Sequence, residues 1–337
     1  MEKKLLFLIG PPRSGSTLLT RMLGGHPEVF APQEPHLLTP LAHLGYYASV
    51  EKAPYDAAIT QAAMRELVGA LPGGENDYLD ALRACSDTLY QRLLAPSGQT
   101  RLLDKTPAYA LVLDFVAKLY PSAPAIVLTR NPIAVWSSFG NSFFDGDHSA
   151  AHAHNPLLER YVPAIARFLR ERPMPCCHVR YEELVADPDT QLRRICDFAD
   201  LEFDPEMIEY GGRPEGQERA VDGLGDPITV AKETRPTTKS IEKWTSDLAG
   251  NPDSVALARR ILDSLLDEDL ATWGYSRQEL SLQLDSVDID GARPKRAALT
   301  RYTAQRKLLV LLRRNIHHNA FGRLIRKFRT ACDVLLR

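Results

Sequence analysis

One turn near the start of the chain restricts its fold more than anything else. Residues 4–9, KLLFLI, form an unbroken apolar run that ends in Gly-Pro-Pro and passes through RSG into STLLTRMLGG. A short apolar run bounded in this way predicts a strand buried on both faces, as in the centre of a parallel sheet. The next segment predicts a helix closed by Gly24 and Gly25. A Gly- and Ser-rich turn between strand and helix presents backbone N–H groups and the helix's positive end, so it suits a phosphate or sulfate. Gly10, Gly15 and Thr17 stand where G-x-x-x-x-G-K-[ST] requires them, but Ser16 replaces the lysine and Arg13 is the only cation inside the loop. That lysine would meet β- and γ-phosphates, and the Ser/Thr would hold Mg²⁺. No apolar run ending in an acidic pair supplies the second half of such a site, so a triphosphate kinase fits poorly.

The strand-then-helix plan recurs. EVFAP is a short extended piece, QEPHLLTP a loop, and residues 56–95 are mostly helical in pattern. TRLLDKTPAY predicts a strand running into a Pro-broken turn. AIVLTR (125–130) predicts a buried strand, with Pro132 opening the helix after it. CCHVRYEEL predicts a strand at 176–181 and a helix through about Phe198. Strands alternating with helices predict an α/β fold, a P-loop-like parallel β-sheet flanked by helices. No internal repeat is visible, and residues 208–240, rich in Gly, Pro, Glu and Thr, read as a long mobile surface segment.

Length and composition agree with an enzyme-like globular chain. Its 337 residues are 44% hydrophobic and 25% charged, enough to bury a sizeable core. The start, MEKKLLFLIG, superficially resembles a signal peptide, but its apolar run leads straight into the loop and is expected to be the first strand. No apolar stretch approaches the roughly 20 residues that span a bilayer. Cys85, Cys176, Cys177, Cys196 and Cys332 form no C-x-x-C pair and read as reduced thiols, with packing the expectation for the adjacent Cys176 and Cys177. The expected location is cytoplasmic.

A second anion signal is VLTRNPIAVWSSF. Arg130 leaves the carboxyl end of a predicted strand, where open α/β sheets bind ligands, and Ser138 follows on the next helix. A guanidinium and a hydroxyl gathered there suit a second, separate phosphate. Pairing of Arg130 with a neighbouring acid is the plainer alternative.

In order and spacing, PPRSGST, LTRNPIAVWSS and VRYEELVADPDTQLRRICDFADLEF resemble the cytosolic-type and bacterial sulfotransferases, over about residues 4–250. The resemblance implies the sulfotransferase fold and 3′-phosphoadenosine 5′-phosphosulfate (PAPS) as donor, with 3′-phosphoadenosine 5′-phosphate (PAP) as product and no metal. It places the 5′-phosphosulfate on Arg13, Ser14, Gly15, Ser16 and Thr17, and the 3′-phosphate on Arg130 and Ser138. Tyr181 would lie near the adenine. PAPS carries no β- or γ-phosphate, which accounts for the missing lysine and Mg²⁺ partner.

The acceptor side rests on the same resemblance. GGHPEVFAPQEPHLL is similar to the H-P-x-V…E-x-x pattern of tyrosylprotein and several bacterial sulfotransferases. That puts Glu34 in the position of the base and His36 facing the acceptor; read alone, Glu34 is a solvated loop acid. Arg13 would contact the transferring sulfuryl group, and Lys105, in LDKTPAY, resembles the second catalytic cation. The RKG closing motif of the cytosolic members is absent. TRPTTKSIEKW instead resembles the Ser–Lys–Trp loop of the other branch, giving Lys239 and Ser240 as nucleotide contacts. The expected reaction is in-line sulfuryl transfer to an acceptor hydroxyl, small or lipid-like. The alternatives are an atypical P-loop kinase using ATP and Mg²⁺, or a membrane-recruited nucleotide-binding protein without activity.

Two features stay outside that scheme. His148, His152 and His154 cluster in DHSAAHAHNP, which reads as a polar, substrate-gating loop just after the helix that carries Ser138 rather than a metal site. The end of the chain is electrostatically separate. Of 41 Lys and Arg and 43 Asp and Glu, residues 291–337 hold thirteen and one, leaving 28 and 42 in the remainder, a net −14 against +12. Leu309, Leu312, Ile316, Ala320, Leu324, Phe328, Ala331 and Leu335 recur three and four apart, predicting a basic amphipathic C-terminal helix. Residues 1–285 are therefore expected to be the catalytic domain and 286–337 the tail. Through residues 299–337 the tail suits either an anionic membrane surface or the chain's own acidic body, or else a protein partner or carrier domain. Nothing accompanies the charge that would mark nucleic-acid binding.

Overall fold

The computed structural model describes residues 1–47, 57–210 and 234–290, together with Leu324. The expected first strand is β1 (Leu5–Ile9), followed by the turn and α1 (Ser16–Leu23). Then come β2 (Val29–Phe30), α2 (Leu38–Ala42), α3 (Ala57–Ala70), α4 (Glu75–Leu94), β3 (Arg101–Lys105) and α5 (Leu113–Leu119). β4 (Ala125–Thr129) leads into α6 (Pro132–Phe144), α7 (His148–His154) and α8 (Leu157–Glu171). β5 (Cys176–Arg180) runs directly into α9 (Tyr181–Ala186) and α10 (Pro188–Ala199). The described helices end with α11 (Lys243–Leu248), α12 (Pro252–Ser264), α13 (Asp267–Thr272) and α14 (Arg277–Asp285).

The five strands among the described residues form one parallel sheet in the order β2-β3-β1-β4-β5. Leu8 of β1 lies beside Lys105 of β3, and Ile9 beside Val127 of β4. The chain builds one side of β1 first and then crosses to the other. That reversal opens a crevice at the carboxyl ends of β3, β1 and β4, where sheets of this kind bind ligands. Both faces of β1 are covered, which is why its sequence does not alternate. Leu6 and Leu8 enter a core with Leu19, Met22 and Leu23 of α1 and Leu192 and Ile195 of α10. Phe7 meets Tyr109 and Tyr120 at centroid distances of 6.5 and 5.8 Å.

The helix after the loop stops where expected, for a different reason. Gly24 has a right-handed φ of −66°, so no left-handed cap forms. A Cβ there would lie 2.9 Å from the Cβ of Ala31, and the glycine is needed for that close approach.

The chain divides into two compact units. Residues 1–131, 160–241 and 266–276 hold the sheet; residues 132–159, 242–265 and 277–337 hold α6, α7, α11, α12 and α14. In the second unit, the stretch expected to be a polar loop is α7, capped by the Asp147 carboxylate, which accepts the Ala150 N–H at 2.9 Å. The periodicity that makes it a helix is supplied by tertiary packing. His148 is buried, stacked on Trp136 at 4.7 Å, with Nδ1 3.0 Å from Ser254 Oγ, and burial lowers its pKa. His152 pairs with Glu159 and His154 packs on Phe144, so the three histidines have separate partners.

α14 ends at Asp285. Apart from Leu324, the basic tail from 291 onward lies outside the described residues, as does 211–233 of the segment expected to be mobile. Among the described residues no helix is long and apolar enough to cross a membrane.

Candidate active site

The expected site residues of the first unit gather at the carboxyl ends of its strands. After β1, Arg13 and Gly15 adopt left-handed backbone with φ of 71° and 93°. A Cβ on Gly15 would lie 2.4 Å from the Tyr181 ring, and one on Gly10 would lie 2.8 Å from the Leu128 carbonyl oxygen. Glycine at both positions lets the turn close against β4 and the start of α9. Ser14 is fully buried, and its Oγ has no hydrogen-bond partner among the described residues. Ser16 and Thr17 open α1, which has no side-chain cap, so its first N–H groups face the turn. A buried unpartnered hydroxyl beside uncapped N–H groups suits an anionic oxygen.

Arg130 follows β4 directly. Nη1 donates to the Arg13 carbonyl at 3.2 Å and Nη2 to the Ser240 carbonyl at 2.7 Å. The guanidinium lies 4.4 Å from the centre of the Tyr181 ring, and Nε is buried without a partner among the described residues. Burial draws the Arg130 pKa below the ordinary arginine value, against the opposing pull of Tyr181 and Glu182. The next residue is fixed by Glu182, which accepts the Asn131 N–H at 3.0 Å and the Tyr275 hydroxyl at 2.5 Å. Lys239 is exposed, and Ser240 enters the site through its main chain. Ser138 is half-buried on α6, in the second unit.

On the other side of β1, Lys105 ends β3. Its Nζ donates to Glu34 Oε1 at 2.5 Å, and His36 Nε2 lies 3.3 Å from Glu34 Oε2. Exposure grades across the group, from 6% for Lys105 and 14% for Glu34 to 39% for His36. Solvent, or an acceptor, therefore meets the imidazole edge first. One residue back along β3, Asp104 is fully buried and accepts hydroxyl protons from Tyr90 (2.5 Å), Tyr109 (3.0 Å) and Thr106 (3.1 Å). Burial raises its pKa to about 6, against the opposing effect of those three donors. The sequence reading missed Asp104 and its hydroxyl partners, and also Glu182 and Tyr275. An acid directly after the buried pair Leu102 and Leu103 was the available signal.

Chemically, the arrangement combines a turn suited to an anion with a carboxylate held between an ammonium and an imidazole. Such a set can take a proton from a hydroxyl and stabilise negative charge on a transferring group.

A family model described as "Sulfotransferase family" matches residues 6–205, which include the turn, Glu34, Lys105, Arg130 and Tyr181. The nodulation protein NoeE of Sinorhizobium fredii is 31% identical over 265 residues, covering 72% of this chain and 60% of its own length. Protein-tyrosine sulfotransferase of Drosophila melanogaster is 23% identical over 269 residues, covering 74% of this chain and 48% of its own length. The chain thus spans about half to three-fifths of these two relatives. The solved sulfotransferase domain from the curacin biosynthetic pathway is similar in fold, with a TM-score of 0.52 at 23% identity over 86% of this chain and 98% of that one. With the family model matched over more than half of its length, the chain belongs to the sulfotransferase family.

Proposed function

We propose that this chain moves a sulfuryl group from PAPS to an acceptor hydroxyl. The observation that carries the reading is Arg130: among the described residues, a buried cation whose two Nη atoms donate to main-chain carbonyls and whose Nε has no partner, beside a turn that lacks the lysine of triphosphate sites. A buried charge of this kind is best satisfied by an anion supplied from outside. Arg130 would hold the 3′-phosphate, with Lys239 and Ser240 as further contacts, and Tyr181 would lie near the adenine. The turn from Arg13 to Thr17 would hold the 5′-phosphosulfate.

PAPS supplies the sulfuryl group; the chain's residues position it and manage charge and proton. Glu34 Oε2 takes the acceptor proton, with His36 orienting the hydroxyl at the more exposed edge. Lys105 and Arg13 stabilise the negative charge spread between acceptor oxygen, sulfuryl group and departing phosphate. As the new oxygen–sulfur bond forms, the bond from sulfur to the phosphate oxygen breaks, and PAP leaves with that electron pair.

The test is calorimetric titration with PAP in EDTA, and with ATP plus Mg²⁺ in parallel. PAP is expected to bind without metal, and Arg130→Ala to weaken it about 10- to 100-fold, the value of a charged hydrogen-bonding contact. Binding of ATP only with Mg²⁺, and none of PAP, would overturn the reading in favour of a kinase.

A further inference from the structure

We propose that Asp104 is a positioning residue for the acceptor side, acting through two hydroxyl relays that fix the main chain carrying Glu34 and His36. The proposal rests on the reading of Glu34 as the base. Side chains alternate along a strand, so Lys105 and Asp104 project to opposite faces of β3. Lys105 reaches Glu34 directly, whereas Asp104 is buried beneath the sheet among hydroxyls. A buried carboxylate has to be hydrogen-bonded, and Tyr90, Tyr109 and Thr106 provide that.

Two of those three hydroxyls continue outward. Thr106 Oγ1 donates to Asp104 Oδ1 and accepts the His36 N–H at 3.3 Å. Tyr109 donates to Asp104 Oδ2 and accepts the Leu38 N–H at 3.0 Å. A hydroxyl has one proton and two lone pairs, and an ionised carboxylate only accepts. Each hydroxyl therefore commits its proton inward and turns a lone pair towards the main chain. The polarity of both relays is set by Asp104.

The places where the relays end give the arrangement its meaning. His36 has a left-handed φ of 50°, a conformation that costs a non-glycine residue about 1 kcal/mol and persists only where the surroundings over-determine it. The Thr106 relay lands on that residue's own N–H, and the Tyr109 relay lands two residues later, where α2 begins. A single strand thus positions the cation through Lys105 and the base-bearing segment through Asp104. Neither relay reaches the turn that follows β1.

The experiment uses the full chain with Thr106→Val and Tyr109→Phe, which remove one hydroxyl each at nearly constant volume, and Thr106→Ser, which keeps it. Three quantities are read: amide hydrogen exchange across residues 33–38 with PAP bound, PAP affinity by calorimetry, and PAP release from PAPS with a phenol acceptor. Thr106→Val and Tyr109→Phe are expected to speed exchange at His36 or Leu38 at least tenfold and to lower kcat at least tenfold. The acceptor KM and PAP affinity should move less than threefold, and Thr106→Ser should restore both readings. Unchanged exchange in both variants overturns the proposal, as does a fall in PAP affinity parallel to the fall in rate. Faster exchange in a chain whose Glu34→Gln variant keeps full turnover would sink the base reading and leave the relays standing. Unchanged exchange beside an inactive Glu34→Gln would do the reverse.

Discussion

At the carboxyl end of β4, Arg130 keeps Nε buried without a partner among the described residues, and Ser14 Oγ in the neighbouring turn is in the same condition. Across β1, both oxygens of Glu34 are already engaged by Lys105 and His36, and the carboxylate beneath them is surrounded by three hydroxyls. The proposed donor side thus carries unspent hydrogen-bonding capacity, and the proposed acceptor side has spent nearly all of its own internally. An unspent buried donor costs stability until a ligand satisfies it, so it is a binding device. A satisfied network gains nothing from a ligand directly, but it holds groups at fixed separations, which is what transfer chemistry requires. Loss on the first side should therefore appear in affinity, and loss on the second in rate.

The strongest way to break this contrast is Glu34→Gln. It keeps the shape and removes the proton acceptor, so turnover is expected to fall about 10²- to 10⁴-fold, the usual worth of a general base. PAP affinity measured by calorimetry should stay within about threefold of the parent. A parallel loss of affinity would show the two sides to be one.

Gly15→Ala attacks the other side. Left-handed backbone disfavours a Cβ by about 1–2 kcal/mol, and a Cβ 2.4 Å from the Tyr181 ring would have to displace it, an overpacking cost of about 1–3 kcal/mol. Thermal unfolding should shift down and PAP binding should weaken strongly, because Tyr181 and Arg130 move together. Unaltered PAP binding would mean that this close approach is irrelevant to the nucleotide.

The smallest effect concerns pH. With its pKa raised from 3.8 to about 6, Asp104 holds its proton more tightly when folded than when unfolded. Its contribution is fully present below pH 3.8 and is lost as pH rises through about 6, a difference on the order of 3 kcal/mol. Asp104→Asn lacks this slope. Urea unfolding of the two proteins from pH 4 to 7 should show their stability difference shifting towards the Asn variant as pH rises. A constant difference would place the folded pKa near its ordinary value.

Much of this architecture is legible in sequence because it depends on local pattern. KLLFLI and AIVLTR each precede a polar turn and a helix, and parallel strands buried on both faces require such runs. Motif residues could be placed at strand ends for the same reason. What escaped depends on partners distant in sequence. Asp104 looks like an interruption of β3 until Tyr90 and Tyr109 are seen beside it. DHSAAHAHNP carries no apolar stripe, and its helix becomes intelligible only with Trp136 and Ser254 packed on His148. Gly24 was assigned to helix capping because the approach of Ala31 cannot be read from neighbours in the chain.

The central place of β1 also bears on how the molecule is made. Leu5 pairs with Leu102 and Phe7 with Ala125, so β1 obtains both neighbours about a hundred residues after it is made. At translation rates of roughly 5–20 residues per second, it remains unpaired for about 5–20 s. During that interval LLFLI is an apolar segment with two open edges, the kind of element that associates with other nascent chains. The turn after β1, emerging soon after it, acquires its geometry only after β4 and then Tyr181 have arrived. A ligand held by that turn would therefore bind only after residue 181 has been made, and a holdase that covers residues 1–10 would act while β1 is still unpaired.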